Sequence, residues 1–136
     1  MSDLALMEMA QKAAEYAYAP YSSFAVGAAL LCKDGTVFSG CNVENAAFSP
    51  TVCAERTAVV KAISEGQHDF AAIAVAAKKD GVWVDAVSPC GVCRQVLAEF
   101  CDPDTFRILT LSPDGIKSYT LTTLLPHGFG KSDLSE

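Results

Sequence analysis

Between Leu4 and Tyr18 apolar residues return every three or four positions, at Met7, Ala10, Ala14 and Ala17, with Glu8 four residues before Lys12 and Ala19-Pro20 as a stop. This spacing predicts a helix. The pattern then changes: Ala25 to Cys32 is an almost continuous apolar run, Lys33-Asp34-Gly35 is a turn, and Thr36 to Cys41 resumes an extended pattern. A hairpin is expected there. A second helix begins with Thr51 or Cys53 as its cap, repeats Ala54, Ala58, Val59 and Ala62, and ends near Glu65 before Gly66. Phe70 to Ala77 reads as a buried strand and Val82 to Val87 as a short one, and Pro89 opens a helix containing Gly91 to Phe100. Phe106 to Leu111 and Ile116 to Tyr119 read as two last strands around a Pro113-Asp114-Gly115 turn.

Helices alternating with strands after one early hairpin predict an α/β fold in three layers, a mixed sheet of five strands or slightly more flanked by helices. No internal repeat or low-complexity tract divides the chain. With 136 residues, 51% of them apolar, a single domain over residues 1–136 is expected. No apolar run approaches the roughly 20 residues that span a bilayer, and no basic segment followed by an apolar one opens the chain, which predicts a soluble, cytoplasmic protein without a membrane partner.

Charge narrows the partners. A net charge of −6 argues against the basic surfaces that track phosphates, so no nucleic acid is expected and a small uncharged ligand fits better. Six cysteines without a secretory signal, two of them in a Cys-x-x-Cys pair, point to reduced thiols with metal or redox chemistry.

Cys53 starts one predicted helix, and Cys90 and Cys93 start another, three residues apart and hence on one face. At two helix starts, free N–H groups and positive dipole ends favour thiolates, the form that binds metal. Three thiolates around a tetrahedral Zn²⁺ leave one position open, which separates catalytic from structural zinc. Glu55 is the neighbour that matters. Interior helix residues two apart point to opposite sides, so Cys53 and Glu55 share a site only if Cys53 lies at the cap, outside helical geometry. Three thiolates also outweigh a dication, which disfavours ionising a water, so a positive group should stand close by. Arg56, at the same helix start, is favoured over Arg94 for that compensation. Two other readings fit the cysteines alone: a thioredoxin-like redox pair at Cys90 and Cys93, and a structural zinc closed by Cys41. Cys32, Cys41 and Cys101 read otherwise as small buried apolar residues.

Zinc deaminases of bases carry a ligand, a Glu two residues later and a downstream Pro-Cys-x-x-Cys. Cys53-Ala54-Glu55-Arg56-Thr57-Ala58 with Ser88-Pro89-Cys90-Gly91-Val92-Cys93-Arg94-Gln95 closely resembles the small, homotetrameric, all-cysteine class of cytidine deaminase. Ala19-Pro20-Tyr21-Ser22, Phe24, Val26 to Leu30, Gly40 to Ala46, Leu124-Leu125-Pro126 and Phe129 extend the likeness, which covers about Ala17 to Leu134.

The resemblance implies a cytidine-deaminase-like fold and one Zn²⁺ per chain on Cys53, Cys90 and Cys93. Glu55 would be the proton shuttle in hydrolysis of free cytidine and deoxycytidine to uridine and deoxyuridine with release of ammonia, a pyrimidine-salvage reaction. It also implies that Asn42 and Glu44 hydrogen-bond the sugar, that Phe24 packs near the base, and that backbone groups at Ala54 and Ser88 contact it. Phe48 and Phe129 match positions that such tetramers lend to a neighbouring subunit's active site. Phe48 departs from the family's usual tyrosine, so any contact by that hydroxyl is missing. His127 reads as an exposed loop residue near the same interface. A deaminase of a cytosine-containing nucleoside antibiotic would share the zinc chemistry and differ at Phe24, Asn42 and Glu44.

Overall fold

Ser2 starts the first helix, its hydroxyl accepting the Ala5 N–H at 3.1 Å, and α1 runs Asp3–Ala13 with Leu6, Met7, Ala10 and Ala13 buried. The structure is a computed structural model and describes residues 1–134. The helix is shorter than its periodicity predicts. Ala14–Tyr16 tighten into a 3-10 turn, and Tyr18 instead forms a parallel bridge with Val43. Long-range pairing takes those residues away from the helix.

Strands β1 (Phe24–Cys32) and β2 (Val37–Cys41) form the expected hairpin, with Gly35 at φ +93° in its turn, a conformation that suits glycine. Helix α2 (Ala54–Ser64) follows, and Gly66 at φ +89° ends it. The central strand β3 (Phe70–Lys79) pairs antiparallel with β1 along nearly its whole length. Strand β4 (Val82–Val84) pairs back onto the end of β3, α3 (Gly91–Phe100) crosses over, and β5 (Arg107–Ser112) returns parallel to β3. Strand β6 (Gly115–Thr120) completes a six-stranded mixed sheet of order β2-β1-β3-β5-β6, with β4 beside β3.

Two further elements differ from the sequence pattern. β4 stops at Val84 rather than Val87, because Ala86 turns to φ +62° and donates its N–H to Leu111 O at 2.8 Å, which sends Val87-Ser88-Pro89 toward α3. A four-residue helix, α4 (Leu121–Leu124), is too short to leave a periodic signal, and the Thr120 side chain caps it.

Side chains of β3 divide between two cores, since alternate residues face opposite sides of a strand. Ala72, Ala74 and Ala76 meet Leu6, Met7 and Ala10 of α1, whereas Ile73 and Val75 meet Ala54, Ala58, Val59 and Ala62 of α2 and Leu97 of α3. Hence three layers form. Small residues set the layer spacing: a Cβ on Gly27 would lie 1.9 Å from Ala10 O, and one on Gly40 would lie 2.6 Å from Ala54 O and Ala58 N. Gly40 therefore decides how closely the start of α2 approaches the sheet.

Gly40→Ala must push α2 outward, because the clash is with backbone. We expect a loss of at least about 2 kcal/mol, in the range for overpacked cores, in urea unfolding monitored by circular dichroism. Gly130→Ala, where an added Cβ meets open space, should change stability by less than about 0.5 kcal/mol.

Candidate active site

Cys53 and Cys90 are both helix caps with extended backbones, at φ −76°, ψ 155° and φ −64°, ψ 167°. Their carbonyls accept the first helical bonds, from Thr57 N at 3.1 Å and Arg94 N at 2.9 Å, while neither thiol makes a capping bond. The sulfurs remain free for other partners. Cys93, one turn into α3, is fully buried beneath them.

The three Sγ atoms lie within 4.8 Å of one another, with Cys53 to Cys90 at 3.7 Å and Cys90 to Cys93 at 3.5 Å. A tetrahedral zinc with Zn–S bonds of about 2.3 Å needs sulfurs roughly 3.8 Å apart. The donor set fits that ion. Cys41 is not part of the cluster, and among the described residues no further His, Cys, Asp or Glu joins it, so zinc closed by Cys41 is overturned. The redox reading loses its isolated pair, because Cys53 stands as close to Cys90 as a fellow ligand would.

Arg56 lies at the third helical position of α2, and its Nη2 reaches Cys53 Sγ at 3.7 Å and Thr51 O at 3.2 Å. Its Nε is buried without a hydrogen-bond partner, an arrangement that costs less beside concentrated negative charge. Arg94 points elsewhere. Its guanidinium donates to Pro89 O, Leu124 O and Ser88 Oγ at 2.7, 2.6 and 2.9 Å, binding the approach to Cys90 to the end of α4. Geometry thus separates two arginines that both lie near the start of a cysteine-capped helix.

Hydrogen bonding from Cys93 lowers the Cys53 thiol to about 5, with Arg56 and Cys90 adding to the effect against the opposing cost of burial. The same bond to Cys53 pushes the Cys93 thiol up, and burial adds to it. Between Cys53 and Cys93, Cys53 is the thiol that ionises more readily without metal. A metal ion removes the competition by deprotonating each thiol that it binds.

Glu55 follows Cys53 by two residues and is only 4% exposed. Burial raises its carboxyl to about 7, and the Cys53 charge adds to the rise while its own backbone N–H, Cys93 and Arg56 oppose it. Such an acid can both take and give a proton near neutrality.

Cys53, Cys90 and Glu55 line a cleft of about 480 Å³, and Phe24, Asn42, Glu44, Ala54 and Ser88 line it with them. All five sequence candidates for ligand contact are therefore brought together. Asn42 is nearly buried; its Oδ1 accepts from Val26 N at 2.9 Å and its Nδ2 donates to Phe24 O at 2.8 Å, which leaves one N–H free. Ala54 is the first residue of α2, so its N–H has no partner within the helix.

Phe48 and Phe129 do not line this cleft; they are 74% and 58% exposed. Phe48 sits at φ +58° in the loop after Asn45, and the Phe129 carbonyl accepts from Gln95 Nε2 at 2.7 Å. A second cleft, about 740 Å³, lies beside Phe129, His127 and Cys101 and contains none of the thiol cluster. Cys32 and Cys101 are buried and Cys41 half-buried, all free thiols. Ser22, Thr51 and Lys79 also line the active cleft and escape sequence reasoning. Only the Tyr21-Ser22 stretch within a motif-like loop hinted at any of them.

Residues 1–108 match the family described as the cytidine and deoxycytidylate deaminase zinc-binding region. A cytidine deaminase of Sporosarcina psychrophila is 52% identical over 130 residues, 96% of this chain and 93% of that protein. The crystal structure of cytidine deaminase from Burkholderia pseudomallei superposes with a TM-score of 0.84 at 45% identity, covering 95% of this chain and all of that one. A blasticidin-S deaminase of Bacillus cereus is 34% identical over 91% of this chain and 89% of its own length. No helix of the described residues is long and apolar enough to cross a membrane.

Because the folded Glu55 carboxyl titrates near 7 rather than at the usual 4.5, the fold favours its protonated form. In metal-free protein, the stability of wild type relative to Glu55→Gln should be constant below about pH 4.5 and fall as pH rises through 7. The full change should be about 3 kcal/mol at 1.36 kcal/mol per unit, read from paired thermal melts. A flat difference would place the carboxylate in solvent.

Proposed function

The chain belongs to the cytidine and deoxycytidylate deaminase family, and we propose that it hydrolyses the C4 amine of free cytidine and deoxycytidine, giving uridine or deoxyuridine and ammonia. One observation carries this reading. A three-thiol cluster at two helix starts shares its cleft with a buried carboxyl tuned to about 7. The 52% relative is a cytidine deaminase, whereas the antibiotic deaminase is 34% identical, so the nucleoside reading is the better supported.

Cys53, Cys90 and Cys93 would hold one zinc, which when bound supplies a Lewis acid that brings the pKa of a water from about 15.7 toward 7. Arg56 and the two helix starts offset the excess charge of three thiolates. Glu55 takes a proton from the attacking water and delivers it to ring N3 as the oxygen bonds to C4. It then carries the second proton to the departing amine, so the C–N bond breaks to release ammonia. A single carboxyl can serve both transfers because it is regenerated between them. Phe24 offers a flat apolar wall to the base, Asn42 donates its free N–H to a sugar oxygen, Glu44 accepts from a sugar hydroxyl, and backbone groups at Ala54 and Ser88 orient the ring.

The reading extends to assembly and place. Phe48 and Phe129, exposed and outside the lining of their own chain's cleft, suit contribution to neighbouring sites in a homotetramer. Phe48 supplies ring contact there without a hydroxyl. A cytoplasmic role in pyrimidine salvage follows from the substrate, with residues 1–136 acting as one catalytic domain. An acidic chain of net charge −6 gives no basic track for a polynucleotide.

Purified protein should contain one zinc per chain and convert cytidine and deoxycytidine, followed by the loss of ultraviolet absorbance, with little action on cytosine or the monophosphate. Chelation should abolish turnover and added zinc restore it. Glu55→Gln should keep its zinc while kcat falls by roughly 10³-fold or more; near-normal turnover would remove Glu55 from the reaction. Arg56→Ala should fold yet lose most of its zinc by elemental analysis.

A further inference from the structure

Glu44 reaches the cleft from a segment clamped along its length. Tyr18 N donates to Asn42 O at 3.0 Å and Glu44 N donates to Tyr18 O at 2.8 Å, so residues 18 and 42 to 44 run side by side. Beyond Tyr18, Ser23 takes φ +58° and donates its N–H to Ala19 O at 3.1 Å, folding the loop into a tight turn. That turn aims three donors at one carboxylate. Tyr21 N and Ser22 N reach Glu44 Oε1 at 3.0 and 3.2 Å, and the Ser22 hydroxyl donates to Glu44 Oε2.

Among the described residues, no cation pairs with Glu44. Its carboxyl is held below the usual range first by the Ser22 hydroxyl and then by the Tyr21 and Ser22 amides. A carboxylate offers about four acceptor positions, and three are taken. The remaining one is on Oε2, the oxygen that Ser22 holds. Ser22 Oγ also accepts the Phe24 N–H at 3.1 Å, and Asn42 in turn grips Phe24 O and Val26 N. Ser22 is thus the link between the carboxylate and the aromatic wall, and it lines the cleft itself.

From this geometry we infer that Ser22 is a positioning residue for nucleoside specificity: by holding Glu44 Oε2, it leaves one oriented acceptor for a secondary hydroxyl of the sugar. The inference rests on the proposed sugar contact of Glu44. Ser22 touches neither the thiol cluster nor Glu55, so its effect belongs to binding and orientation. Without its hydroxyl, Oε2 regains rotational freedom and a second open lone pair, and ordering that carboxylate must be done at the moment of binding. The part of the penalty that passes through Glu44 should appear only with substrates that have the hydroxyl to be received, whereas the lost Phe24 N–H bond adds a small loss common to all substrates.

The test compares kcat/KM for cytidine and for 2′,3′-dideoxycytidine, which lacks both secondary hydroxyls, in wild type, Ser22→Ala, Ser22→Thr and Glu44→Ala. Ser22→Ala should lose about tenfold on cytidine, mainly through KM, and less than twofold on the dideoxy substrate. Ser22→Thr, which keeps the hydroxyl, should recover most of the loss. Glu44→Ala should show the same dependence on the hydroxyls, and more strongly. Equal losses of Ser22→Ala on both substrates, with Glu44→Ala still discriminating, would overturn the role of Ser22 and leave the Glu44 contact standing. Equal losses for Glu44→Ala would overturn that contact and the inference with it. Should Ser22→Ala prove unstable, Ser22→Cys keeps the volume with a weak donor and reads the same difference.

Discussion

Negative charge concentrated at one point is the constraint on which the molecule turns. Three sulfurs within 4.8 Å can all be thiolates only if positive charge is brought to them. The fold does this with two helix starts, each capped by a cysteine whose carbonyl enters the helix while its sulfur does not. An interior position would have turned Cys53 away from Glu55. At the cap, backbone extension lets residues two apart serve one cleft. Arg56 completes the compensation from the same helix, its guanidinium held by Thr51 O and Cys53 Sγ.

The requirement reaches into the packing. Helix α2 must come close enough to β2 for its first turn to meet α3, and Gly40 permits that approach where any side chain would strike the Ala54 carbonyl. Burial then has a chemical effect. Glu55 is shielded by the same core that holds Ala54 and Ala58, and the loss of solvent lifts its carboxyl toward neutrality. A well-packed helix start and a proton carrier of suitable strength are consequences of one arrangement.

The sugar side of the cleft is organised by different means. Here no cation among the described residues pairs with Glu44, and hydrogen bonds from a tightly turned loop orient the carboxylate instead. Asn42 spends most of its amide on β1, so it is as much a part of the sheet edge as of the cleft. The cleft's two ends thus differ in kind: one is governed by electrostatics, the other by hydrogen-bond geometry.

The chain's local patterns settled a good deal. Periodicity placed three helices and the strands, Gly35 and Gly66 marked true reversals, and Cys53-x-Glu55 with Pro89-Cys90-x-x-Cys93 named the chemical groups. These are legible because helix period, turn conformation and ligand spacing depend on residues a few positions apart. What needed the folded chain is of longer range. Strand order, the early end of β4 and of α1, and the choice of Arg56 over Arg94 depend on partners distant in sequence. Arg94 and Arg56 both lie near the start of a helix that begins at a ligand cysteine, yet one meets Leu124 and the other meets sulfur. Ser22 lies 22 residues from Glu44 and has an ordinary serine's composition signal, so only the close approach of their two segments gives it a role.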